Sequence, residues 1–139
     1  MAISTTQRQL VRERARQRCE YCQTAEWLSG IADEIDHIIP LAAGGTDDLD
    51  NLCLACPVCN GRKWAKTRAI DPTTGATVAL FHPRQQLWSD HFAWSEDGKM
   101  ILGLTACGRA TIQALQMNHE LIVAARAIWV RVKLHPPVE

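Results

Sequence analysis

A chain of 139 residues with 15 Lys plus Arg against 15 Asp plus Glu carries no formal charge. It is the size of one ordinary domain and long enough to bury a core. That balance excludes a globally basic nucleic-acid coat, and no apolar run approaches the roughly 20 residues needed to span a bilayer, so no membrane partner is expected. The first nine residues are largely polar and form no secretory leader, which places the chain in the cytoplasm as an expectation.

Charge is nonetheless uneven. Arg8, Arg12, Arg14, Arg16 and Arg18 crowd the start, and Arg62, Lys63, Lys66 and Arg68 form a second basic group. Asp33, Glu34, Asp36, Asp47, Asp48 and Asp50 lie between them. Ser4 or Thr5 can cap a first helix running to about Arg18, with Leu10, Val11 and Ala15 inward. Arg8, Arg12 and Arg16 then stack at i, i+4 spacing, a stripe that becomes favourable beside a phosphate backbone.

Six cysteines without a leader, arranged around Cys-x-x-Cys pairs, read as a reduced zinc protein rather than a disulfide framework. Cys19 and Cys22 make the first knuckle. Cys53, Cys56 and Cys59 compete for the second, and Pro57 with Asn60-Gly61 favours Cys56 and Cys59, leaving Cys53 as a small buried residue. Four thiolates close a tetrahedral site, which is structural.

Between the knuckles, Glu34 to Ile39 is β-branched and ends at Pro40, giving a short strand that carries His37. Leu41 to Asp50 is a Gly-rich and Asp-rich loop, and residues 51–54 form a second strand. A helix begins near Asn60 and runs to about Arg68. The order is strand, loop, strand, helix.

The combination of Asp36-His37, Gly44-Gly45 leading to Asn51-Leu52, and Cys56-x-x-Cys59-Asn60-x-x-Lys63 resembles the HNH endonuclease family, in the zinc-braced subgroup of its ββα-metal finger. The resemblance covers roughly residues 18–66 and departs in having Asn60 at the third motif position, where His is common. It implies an α+β fold and a metal-dependent nuclease acting on DNA, most simply double-stranded. His37 would be the general base and Asn51 the residue that orients its strand. Asp36 and the Asn60 amide oxygen would hold Mg²⁺, Mn²⁺ or another divalent cation. A regular strand would turn Asp36 away from His37, so the resemblance also implies a local twist or bulge. Arg62, Lys63 and Lys66, with Arg8, Arg12 and Arg16, would meet phosphates.

The competing reading is a zinc-stabilised nucleic-acid-binding module whose nuclease site has decayed. A zinc deaminase is excluded because its His-x-Glu is here His37-Ile38-Ile39. The nuclease core is expected over 1–70 and an α+β extension packed on it over 71–139. In that extension Val78 to Phe81, His91 to Trp94 and Lys99 to Leu104 read as strands. Thr105 caps a helix to Gln116, and a second helix spans Glu120 to Lys133 with Leu121, Ile122, Ala125, Ile128, Trp129 and Val132 as its apolar stripe. Trp88, Phe92, Trp94 and Trp129 read as core, and Cys107 as a buried thiol. Oligomeric state is not legible.

Overall fold

The computed structural model describes residues 3–138, which divide into two compact units. The first comprises Met1–Thr67 with His82–Leu87, and the second Arg68–Phe81 with Trp88–Glu139. The fold is α+β, built from short helices and three separate two-stranded antiparallel sheets. Among the described residues no helix is long and apolar enough to cross a membrane.

In the first unit, α1 spans Thr5–Arg14 and starts from a capping box: Gln7 N–H donates to Ser4 Oγ while the Gln7 side chain accepts from Ser4 N–H. It ends four residues earlier than the sequence suggests, because Arg16 and Gln17 take positive φ of 55° and 53°. The expected Arg8, Arg12 and Arg16 stripe is therefore broken. Leu10, expected inward, is exposed, while Val11 packs with Leu52 and Leu54 as the unit's core.

A one-turn helix α2 (Glu26–Ser29) precedes β1 (Glu34–His37), which pairs with β2 (Leu52–Ala55). The register is continuous, with Asp36 opposite Cys53 and His37 opposite Leu52, so β1 contains no bulge. Helix α3 (Pro57–Lys63) follows at once, starting three residues before the expected point. Pro57 suits its first position, where an amide hydrogen would have no partner in the helix. Asn60 and Gly61 are helical rather than turn residues, and Arg62 and Lys63 fall in its last turn.

The second unit contains β3 (Arg68–Ile70) paired with β4 (Thr77–Ala79), α4 (Trp88–His91), β5 (Phe92–Trp94) paired with β6 (Ile101–Gly103), α5 (Ala106–Leu115) and α6 (Glu120–Arg131). Strand β3 is not visible in the sequence pattern. Thr105 caps α5 as expected, its hydroxyl accepting from Gly108 N–H at 3.0 Å. Phe81, Phe92, Ile101, Leu115 and Met117 are buried, and Phe81 meets Phe92 edge-on at 5.1 Å. Asp71 holds Arg109 through two 2.9 Å bonds. The expected apolar stripe of α6 is largely in solvent: Leu121, Ile128 and Val132 are exposed, and the buried residue of that helix is Arg126. Its guanidinium donates to Met117 O, Lys99 O and Asn118 Oδ1 and stacks over Trp94 at 5.2 Å. A buried guanidinium is tolerated because these hydrogen bonds and the ring replace its water. Cys107 is half-buried rather than buried.

Candidate active site and zinc knuckle

The Sγ atoms of Cys19, Cys22, Cys56 and Cys59 lie within 4.8 Å of one another, and Cys22 Sγ is 3.8 Å from Cys56 Sγ. Four sulfurs about 2.3 Å from a tetrahedral zinc ion are about 3.8 Å apart, so the cluster fits one. Each knuckle is shaped by a backbone donor. Cys22 N–H points at Cys19 Sγ (3.4 Å) and Cys59 N–H at Cys56 Sγ (3.3 Å). Cys56 is also the N-cap of α3, which ties the helix start to the metal site. Without a cation, burial pushes the Cys19 thiol up, while hydrogen bonds from Cys19, Cys56 and Cys59 pull Cys22 down.

Cys53, on β2 opposite Asp36, is fully buried, as expected, and joins a polar network. Tyr21 Oη donates to Asp36 Oδ2 at 2.8 Å, Cys53 Sγ approaches the same oxygen at 3.6 Å, and Lys63 Nζ donates to Asp36 Oδ1 at 3.2 Å. Lys63 also donates to His37 O at 3.0 Å and is 1 % exposed. Burial pushes the Tyr21 phenol and the Cys53 thiol up, so both remain donors to the carboxylate.

His37 faces the other way. Its Nε2 lies 2.7 Å from Asp47 Oδ1, and both side chains are about a quarter exposed. Asp47 comes from the loop that Asn51 holds shut: Asn51 Oδ1 accepts from Ile39 N–H (2.9 Å), and its Nδ2 donates to Ile39 O (3.0 Å) and Thr46 O (2.8 Å). One side chain thus replaces a rung of the ladder just where β1 stops, giving the backbone-bonding, orienting arrangement expected of Asn51. Gly45 makes the closure possible, because a Cβ there would sit 1.8 Å from Ile39 O.

The groups expected to share a divalent cation occupy different surroundings. Asp36 is 4 % exposed with its oxygens taken by Tyr21 and Lys63, and Asn60 Nδ2 donates to Glu34 Oε1 at 3.0 Å. An ammonium already neutralises the carboxylate, so this donor set does not fit a second metal as arranged. The physical reason is the unbroken strand: alternation puts residues 34 and 36 against α3 and residue 37 opposite. Lys63, expected at a phosphate, is the buried cation of this network. Arg12, also expected at a phosphate, pairs with Glu26 at 2.6 Å and donates to Asp33 O. Arg8, Arg16, Arg62 and Lys66 remain exposed. Asp47 was missed because no fixed spacing links it to His37; only the loop closure brings it there.

A hairpin, a closing helix and paired Cys-x-x-Cys knuckles define a ββα finger whose four cysteines could hold zinc. Residues 19–66, about a third of the chain, match the family model described as HNH endonuclease. No curated protein and no solved structure matches the chain.

Proposed function

We propose that the first unit is a nuclease that hydrolyses DNA phosphodiester bonds, with His37 as general base. The observation that carries this reading is the His37 and Asp47 pair at 2.7 Å, set at the end of an Asn51-clamped hairpin inside the HNH-matching segment. When Nε2–H donates to the Asp47 carboxylate, the neutral ring keeps its lone pair on Nδ1, and that nitrogen can take a proton from an attacking water. Asp47 then stabilises the imidazolium formed as the water oxygen bonds to phosphorus and the bond to the leaving sugar oxygen breaks, that oxygen taking its proton from bulk water. Exposed Arg62 and Lys66 supply positive charge for the phosphates. The four cysteines hold zinc, which braces the finger and takes no part in hydrolysis. A Mg²⁺ or Mn²⁺ ion at Asp36 would first have to displace Lys63, so no step is assigned to one.

Purified zinc-loaded protein, incubated with plasmid and with Mg²⁺ or Mn²⁺ supplied in separate reactions, tests the reading. His37→Ala should lower the cutting rate about 10²- to 10⁴-fold. Asp47→Asn should lower it less, because it disturbs only the orientation of the ring. Equal cutting by wild type and His37→Ala would remove His37 from the mechanism. The buried Asp36 and Lys63 pair favours the second reading, a zinc-braced module that binds nucleic acid without cutting it. Binding without cleavage under every metal condition would establish that alternative.

A further inference from the structure

Trp64 closes α3 with φ 48° and ψ −116°. Lys66 N–H bonds to Lys63 O at 2.9 Å, so Trp64 holds the first central position of a turn of type II′ geometry. That position favours glycine, and a bulky residue with positive φ is an outlier. The indole gains no burial in return, since it is 80 % exposed, the most exposed of the five tryptophans. Backbone preference calls for glycine here and hydration calls for a polar residue, so neither folding term accounts for tryptophan. Strain of this kind is kept where surrounding contacts over-determine it. Here they do, because the buried Lys63 ammonium, bonded to Asp36 and to His37 O, fixes the end of the helix.

The charged chain neighbours of Trp64 have one sign. Arg62 and Lys66 are exposed, and residues 57–67 contain no acid. An aromatic plane set among cations is the composition that binds single-stranded nucleic acid, the bases stacking and the phosphates pairing. Trp64 follows Lys63 in the chain, at the end of the helix whose Lys63 donates to the backbone of β1 at His37 O.

The geometry points to Trp64 as a base-stacking residue that takes one unpaired or extruded base on its indole, while adjoining phosphates meet Arg62 and Lys66. This rests on the reading of the first unit as a nuclease and adds a preference to it: the preferred substrate has a base out of its stack.

The test uses full-length zinc-loaded protein carrying His37→Ala, so that probes are bound and not cut. Fluorescein-labelled probes are a fully paired DNA duplex, the same duplex with one unpaired base, a single DNA strand and a single RNA strand. Adding Trp64→Ala should weaken the last three roughly 5- to 150-fold and the paired duplex far less. The salt dependence should not change, because stacking releases no counterions, whereas Arg62→Ala or Lys66→Ala should flatten it. Trp64→Phe should keep most of the affinity. Trp64→Gly should bind as poorly as Trp64→Ala yet melt at the same or a higher temperature than its parent, since glycine suits the turn. Unchanged binding of all four probes by Trp64→Ala, or a lower melting temperature for Trp64→Gly with binding intact, would overturn the proposal and make Trp64 a structural residue. Plasmid cleavage by wild type alongside that result would leave the nuclease reading standing. Failure of the parent to bind any probe would overturn both.

Discussion

Asp33 shows how much a single buried carboxyl can report. Its Oδ2 is buried with no hydrogen-bond partner among the described residues, and burial, reinforced by nearby Glu26, pushes its pKa up to about 7. The folded chain holds this proton more tightly than the unfolded chain, whose carboxyl titrates near 4, so the contribution to stability is full below about pH 4 and lost as pH rises through about 7. Asp33→Asn should therefore raise the melting temperature, with a gain that grows from pH 5.5 to pH 8; a constant gain across that window would show that Asp33 is not the titrating group. Lys63 is the second such residue. Lys63→Met leaves Asp36 buried without its cation and should cost about 3–5 kcal/mol in urea unfolding. Millimolar Mn²⁺ should restore part of that loss, and none of it in a variant that also carries Asp36→Asn. Absence of any restoration would mean that Asp36 and Asn60 cannot share a dication even when the ammonium is gone.

At the scale of elements, the decisive one is the loop between β1 and β2. Asn51 makes three hydrogen bonds to Ile39 and Thr46 that a smaller side chain cannot reproduce. Asn51→Ala should cost about 2–4 kcal/mol by leaving those backbone groups without a partner. It should also speed amide exchange at Ile39 and release Asp47 from His37, so cleavage should fall further than stability accounts for. The position of Asn51 was legible through the resemblance of the Gly44-Gly45 to Asn51-Leu52 stretch, and the amide can both donate and accept across a loop. That Asp47 and not Asp48 or Asp50 would face His37 was not legible, since three acids in four residues look alike until the loop closes. The end of α1 was misread for a similar reason: Arg16 and Gln17 have no local signal for positive φ, and their turn is imposed by the chain entering the first knuckle.

For the whole molecule, the two units differ in what holds them together. The first has a small apolar cluster around Val11, Leu52 and Leu54 beside its four clustered cysteines; the second has its own buried aromatic and aliphatic side chains. Removing zinc with a strong chelator should therefore unfold the first unit and abolish nucleic-acid binding, because metal binding is part of its folding free energy. Calorimetry of the full chain should then lose one transition and keep another. A single transition that disappears altogether would mean that the second unit has no independent stability. Metal analysis should find one zinc per chain, falling to none in a variant with both Cys56→Ser and Cys59→Ser.

The spacing of the cysteines pointed to the four that cluster, and the pattern of β-branched residues, glycines and prolines gave the hairpin-and-helix order, because each is carried by short motifs in the chain; the Asn51 position came with the resemblance of the motif. Tertiary structure decided where the charges go. Whether Lys63 meets a phosphate or a buried carboxylate, whether Arg12 is available or paired, and which loop acid reaches His37 all depend on which strand face meets which helix. Those choices are set by packing and by the cost of burying an unpaired charge, and no local pattern encodes them.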